Sequence, residues 1–163
     1  MPQRKYLWIL LAAILLAAVF FYRTIPQNFS TGSASSTAQT HAAQFGGVSL
    51  NLEYAMTEAE RERGLGGRST LAPDDAMLFV FPQDGYYGFW MKDTLIPLDM
   101  LWLDAQGHVV YIAANVATSS YPNVFYPSAP ARYVLETAAG FSAAHSIATG
   151  TPLLLKNLPT VSQ

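Results

Sequence analysis

No cysteine occurs among the 163 residues. Disulfides, thiolate zinc sites, iron–sulfur clusters and thiol catalysis are therefore excluded, and the fold must be held by its core alone. Charge is also sparse, basic charge most of all: nine Lys and Arg stand against eleven Asp and Glu. Three of the nine (Arg4, Lys5, Arg23) fall within the first 23 residues, whereas all eleven acids follow Gln44. Beyond Gln44 the formal charge is 6 − 11 = −5, a poor match to nucleic acid or anionic lipid. Of the three histidines, His41, His108 and His145, none is followed by a metal-ligating residue at i+2 or i+4, so no metal site is expected. No Gly-x-Ser-x-Gly elbow, P-loop or dinucleotide fingerprint occurs, and no cofactor is expected.

Charge is missing altogether from Tyr6 to Tyr22, a run of 17 residues. As a helix it reaches about 25 Å, close to the hydrocarbon thickness of a bilayer. Tyr6, Trp8 and Tyr22 mark its two ends, where amphipathic rings favour the interface. A cleaved signal peptide is the competing reading. The bulky end Val19-Phe20-Phe21-Tyr22-Arg23 argues against it, so residues 1–23 read as an uncleaved signal anchor. Arg4 and Lys5 keep the N-terminus cytoplasmic and place the remainder on the extracytoplasmic side, periplasmic in a Gram-negative cell, or secreted if the segment is cut. Residues 24–44, rich in Ser, Thr and Ala, have no apolar periodicity and read as a flexible tether. A β-rich domain is expected over 45–157, followed by a short tail over 158–163.

Within that domain Val48, Leu50, Leu52 and Tyr54 alternate with polar residues, the period of a strand with one buried face. Thr57-Glu58-Ala59-Glu60 is a capping box that opens a short helix to about Arg63, and Gly64, Gly66 and Gly67 stop it. Met77 to Phe81 is continuously apolar and ends at Pro82, so it reads as a strand buried on both faces. Met100 to Leu103 and His108 to Ala113 flank Asp104-Ala105-Gln106-Gly107 as a hairpin. Arg132 to Thr137 and Thr151 to Lys156 are further strands, and Phe141 to Ala148 a helical turn. Ser119 to Pro130 is a loop with three prolines and three exposed aromatics. Many short strands and little helix predict an antiparallel sandwich or partly open barrel.

The densest chemistry lies in Phe89-Trp90-Met91-Lys92-Asp93-Thr94-Leu95-Ile96-Pro97-Leu98-Asp99-Met100, where apolar residues flank a compact polar group as in a buried strand ending at a rim. Together with Thr57-x-x-Glu60-Arg61-x-x-Gly64-Leu65, Arg68-x-x-Leu71, Met77-Leu78-Phe79-Val80-Phe81, Tyr133-Val134-Leu135-Glu136, Ala139-Gly140 and Gly150, it resembles the domain of unknown function 192 family, also called uncharacterised protein family 0127. The resemblance spans roughly Val48 to Leu155. It implies a compact, often exported β-rich fold and no agreed activity. The chain departs from the family in having Asp93 for the usual Asn, Gly66 for a Met, and Ala76 for a Gly.

Candidate ligand-binding residues are Lys92, Asp93, Thr94, Asp99, Arg61, Arg68 and Glu136. An ammonium among carboxylates suits an anionic or hydroxyl-rich ligand, and Arg61, Arg63 or Arg68 can grip a carboxylate bidentately. The structural alternative has Asp93 and Thr94 bonding a turn backbone and Asp99 pairing with an arginine. Glu136 reads as a surface glutamate or, with an aspartate, as a general acid. The leading expectation is a membrane-tethered envelope module that binds a small molecule or protein without catalysis. A hydrolase of saccharide or peptide using Lys92, Asp93, Asp99 and Glu136 is the second expectation. An interaction protein docking through Tyr121–Tyr126 is the third.

Overall fold

The computed structural model describes residues 40–161, and the expected transmembrane segment over 6–22 lies outside them. Among the described residues, no helix is long and apolar enough to cross a membrane. They form one mainly β unit of seven strands and two short helices. The strands are β1 (His41–Phe45), β2 (Val48–Ala55), β3 (Asp75–Gly85), β4 (Leu98–Leu103), β5 (Val109–Val116), β6 (Ala131–Ala138) and β7 (Leu153–Leu154). The helices are α1 (Glu58–Arg63) and α2 (Phe141–Ala144).

All seven strands belong to a single sheet in the order β5-β4-β6-β3-β2-β1-β7. Its two edges meet at one end, where His108 bridges Pro152 and the Leu153 amide donates to the Gly107 carbonyl at 2.9 Å. The result is a curled half-barrel, so of the two architectures expected the partly open barrel is the one formed. One pairing departs from the antiparallel expectation. β2 and β3 run parallel, with Leu52 opposite Ala76 and Tyr54 opposite Leu78. Helix α1 and the glycine loop after it carry the chain back along the sheet before β3 begins, and a parallel pair requires such a crossover.

Strand alternation sorts the apolar residues onto two faces. Leu50, Leu52, Leu78, Val80, Leu101, Leu103, Tyr133 and Leu135 fill the inside of the curl with Phe141, Ile147 and Leu153. Met77, Phe79, Met100, Trp102 and Val134 face outward and are covered by Leu65, Phe89 and Met91. Both faces of β3, β4 and β6 are therefore dry, which is why these strands read as unbroken apolar runs.

Local chemistry sets the connections. Thr57 accepts the Glu60 amide while the Glu60 carboxylate accepts the Thr57 amide at 2.9 Å, the capping box expected from sequence. Gly64 closes α1 at φ +49°, a conformation that excludes most side chains. Two boundaries differ from expectation. β1 occupies the end of the stretch read as a tether, because His41-Ala42-Ala43-Gln44 has little apolar signal and becomes a strand by pairing with β2 across Gly46-Gly47. β3 does not stop at Pro82. A register shift against β6 between Val80 and Gly85 accommodates the proline, and irregular pairing is where a strand tolerates one. Phe89 to Met91 makes one bridge, Phe89 to Phe125, and no regular strand.

Candidate functional site

The outer face of the sheet is not covered completely. Between α1, the 88–94 segment and Phe79, Phe81 and Glu136 of β3 and β6 lies a cavity of about 410 Å³, within the range of small-ligand sites. Phe79, Phe81, Phe89 and Trp90 supply aromatic walls, and Glu136 lies at the floor. Arg61, Arg63, Lys92, Glu58 and Glu62 form the rim, with Thr94 beside them.

Glu136 lies on β6 between Met77 of β3 and Met100 of β4, its partners in the two flanking ladders. Only 5 % of it is exposed, and its carboxyl makes no hydrogen bond or ion pair within the described residues. Burial is the cause that raises its pKa from the ordinary carboxylate range to about 8, because a low-dielectric surrounding disfavours the charged form. The expectation of a surface glutamate is thus corrected. Tyr133-Val134-Leu135 is apolar at three successive positions, so both faces of β6 are covered and the residue that follows shares the burial.

The bend after the aromatic pair is fixed by its own backbone. Asp93 sits at φ +55°, a conformation that Asn and Asp tolerate better than other side chains, which accounts for the Asn usual in the family. The Thr94 hydroxyl donates to the Lys92 carbonyl at 3.2 Å, and the Gly67 amide donates to the Asp93 carbonyl at 2.8 Å. Lys92 projects from this bend to the rim, its Nζ 5.8 Å from the Trp90 ring centre. Across the mouth, Arg61 donates to the carbonyls of Met56 and Val80 and lies over the Phe81 ring, so its guanidinium pins α1 to the end of β3. Gly88 admits the 121–126 loop to this side of the cavity. A Cβ there would lie 2.6 Å from the Tyr126 ring, far inside van der Waals contact.

Four of the seven candidates therefore converge on the cavity: Arg61, Lys92, Thr94 and Glu136. The other three do not line it. Asp93 turns outward. Arg68 forms a two-pronged pair with Glu53, both bonds 2.6 Å, which ties the glycine loop to β2 and lowers the Glu53 pKa. Asp99 is fully buried on the opposite face of the sheet. No arginine reaches it; its oxygens accept the amides of Asn115 (2.7 Å), Gly140 (3.0 Å) and Ser142 (2.8 Å) and the Ser142 hydroxyl. Burial pushes its pKa up, but these bonds together outweigh burial and hold it below the ordinary value. The four-residue hydrolytic constellation is not assembled around one position. Among the described residues no group of three or more His, Asp or Glu is placed to hold a metal. Sequence reasoning did not mark Phe79, Phe81 and Phe89 as pocket walls, since an aromatic strand residue looks the same whether it faces core or cavity.

A half-barrel with a dry inner core and an acid-floored cavity on its outer face defines a small β-rich domain. Residues 40–155 match the DUF192 family, described as Uncharacterized ACR, and the chain belongs to that family. Two solved structures share the fold. A Sinorhizobium meliloti protein, provisionally described as a transcription regulator, is 31% identical with a TM-score of 0.64, over 69% of this chain and 88% of its own. A Novosphingobium aromaticivorans protein of unknown function is 29% identical with a TM-score of 0.62, over 70% of this chain and 81% of its own. No protein of curated function matches the sequence.

Proposed function

We propose that this chain is a membrane-tethered binding module of the cell envelope that holds a small molecule in the cavity over Glu136. The observation that carries this reading is the Glu136 residue, 5 % exposed, lining the cavity and without a hydrogen-bond partner among the described residues. Its oxygens open onto the cavity, where a ligand with a hydrogen-bond donor can meet them in surroundings drier than bulk solvent, and a hydrogen bond is stronger there than in water. The aromatic walls supply the apolar contact area that such ligands bury. Binding is favoured over catalysis by the lining itself, which contains no serine or histidine and whose one hydroxyl, Thr94, is turned to a backbone carbonyl. The apolar run Tyr6–Tyr22 supports the tether, and the acidic charge of the folded part supports a partner other than nucleic acid.

The test is thermal stability of the full detergent-solubilised chain against a metabolite and saccharide panel, beside Glu136→Gln and Trp90→Ala. A ligand that raises the wild-type melting temperature and loses its effect in both folded variants supports the reading. A panel-wide absence of shift, or shifts indifferent to both substitutions, rejects it.

A second reading has its own observation. Trp90, Tyr121, Val124 and Tyr126 are each 40–59 % exposed, and the Trp90 and Tyr121 rings meet at 6.0 Å beside the cavity mouth. Exposed aromatics gathered in one place suit contact with an envelope protein. Crosslinking from Tyr126 in intact cells tests it: a discrete adduct supports the contact, and crosslinks to lipid alone reject it.

A further inference from the structure

We infer that the ligand of this cavity is an amine: a primary or secondary ammonium on an apolar body, seated with its N–H groups on the Glu136 carboxylate and its hydrocarbon against Phe79, Phe89 and Trp90. The inference rests on the pocket reading above and deepens it. Among the described residues Glu136 receives no hydrogen bond, although three cationic side chains line the same cavity. Those cations are held elsewhere. Arg61 is committed to two backbone carbonyls and the Phe81 face. Arg63 and Lys92 are exposed at the rim, interspersed with Glu58 and Glu62, where solvent and salt screen them.

Closer in, no other charge faces the floor. The flanking positions of β3 and β4 are Met77 and Met100, and the 117–130 loop contributes no acid or base. An N–H cation arriving there meets one carboxyl and the negative π-faces of aromatic rings. Both attract it in proportion to how well water is excluded. An alcohol gains the hydrogen bond alone. A carboxylate meets the acid and the ring faces with the wrong sign.

The charge balance makes the inference measurable. In the free protein burial keeps Glu136 a neutral acid at neutral pH. When the ammonium binds, the acid releases its proton to the buffer, and the ion pair forms between the resulting carboxylate and the unchanged ammonium. Amine binding therefore releases about one proton at pH 6.5 and about a quarter of one at pH 8.5, with affinity rising roughly twentyfold between them. An alcohol leaves the proton in place.

Calorimetric titration of the full chain, in buffers of different ionisation enthalpy, reads proton release directly. The probes are 2-phenylethylamine, 2-phenylethanol and 3-phenylpropionate, which share one ring and differ at the end group. The expected result is tightest binding of the amine with the stated proton release, both lost in Glu136→Gln, while the alcohol binds wild type and variant alike. Equal or tighter binding of the alcohol or carboxylate, in a manner sensitive to Trp90→Ala, overturns the amine assignment and leaves the pocket reading standing. Failure of all three probes to bind at millimolar concentration overturns both.

Discussion

Asp99 and Glu136 stand on neighbouring strands one pairing position apart, and their side chains point to opposite faces of the sheet. Asp99 pairs in register with Thr137, and Glu136 with Met100. One residue of offset decides everything that follows. On the inner side Asp99 meets three amides and a hydroxyl, and its pKa falls below the ordinary range despite burial. On the outer side Glu136 meets two methionines and a cavity, and burial alone raises it to about 8. Two acids equally hidden from water are thus held in opposite protonation states at neutral pH. The first secures the fold; the second opens onto the cavity.

The pH dependence of stability separates them. An acid with a raised folded pKa contributes stability below its unfolded pKa and loses it as pH rises toward the folded value. For Glu136 the window runs from about pH 4.5 to about pH 8, and the full change is on the order of 5 kcal/mol. Glu136→Gln removes the ionisation without changing shape. Denaturation of wild type and variant at pH 5, 7 and 8.5 is expected to show the variant gaining on wild type across that series. Parallel profiles would mean that Glu136 titrates as an ordinary surface carboxylate.

Asp99 works with the opposite sign. Its depressed pKa contributes stability above the unfolded value near 4, lost as pH falls through the folded value. Asp99→Ala leaves the Asn115, Gly140 and Ser142 amides without their acceptor, at about 1–3 kcal/mol for the buried Ser142 amide and less for the two part-buried ones. A total loss above about 3 kcal/mol is expected in urea denaturation. Ser142→Ala removes one bond and is expected to cost about 1–2 kcal/mol. A near-neutral Asp99→Ala would show that β5 and the junction of β6 with α2 hold together without it.

These two residues also mark what was legible in the sequence and what was not. The capping box, the buried β3 run and the β4–β5 hairpin each depend on neighbours in sequence, and each is read correctly from them. The parallel β2–β3 pair, the partnering of Asp99 and the cavity depend on strands brought together from distant positions. β1 is illegible for the same reason, since only its pairing with β2 makes it a strand. Glu136 is an intermediate case: the apolar run before it signals a strand dry on both faces, and the surface preference of glutamate outweighs that signal unless it is counted explicitly. Arg61, Lys92 and Thr94 reach the cavity because the 89–94 segment and α1 are folded locally against it, and Glu136 reaches it from β6; Asp99 differs because β4, once paired, turns it inward.

Two tryptophans give a test of the covering layer. Trp102 is fully buried on β4 and its indole N–H donates to the Tyr87 carbonyl at 2.8 Å. Trp90 is 46 % exposed at the cavity mouth. Trp102→Ala is expected to destabilise by about 3–5 kcal/mol, whereas Trp90→Ala stays within about 1 kcal/mol of wild type and weakens ligand binding. Equilibrium denaturation followed by tyrosine fluorescence distinguishes them. A loss at Trp90 as large as that at Trp102 would place its ring in the core.

Arg61 links helix to sheet through one terminal nitrogen shared by two carbonyls and a guanidinium face laid on an aromatic ring. Its guanidinium donates to the Met56 carbonyl ahead of α1 and to the Val80 carbonyl on β3 at 2.9 Å, and lies 5.2 Å from the Phe81 ring centre. Both bonds come from one terminal nitrogen, Nη1, while the guanidinium plane lies over Phe81; a lysine ammonium keeps the charge but is shorter in reach and has no planar face to stack on the ring. Arg61→Lys is therefore expected to cost about 1–3 kcal/mol, since the shorter side chain draws its donor back from the part-buried carbonyls and gives up the Phe81 face. Hydrogen exchange localises the effect: faster exchange confined to α1 and the 64–68 loop, with β4 and β6 unchanged, is the expected pattern. That pattern would also identify α1 as the wall of the cavity most easily opened, because it buries no residue of its own and is held by its cap and by Arg61. Uniform acceleration across the sheet would instead make Arg61 part of the global fold, and would leave the cavity without a movable side.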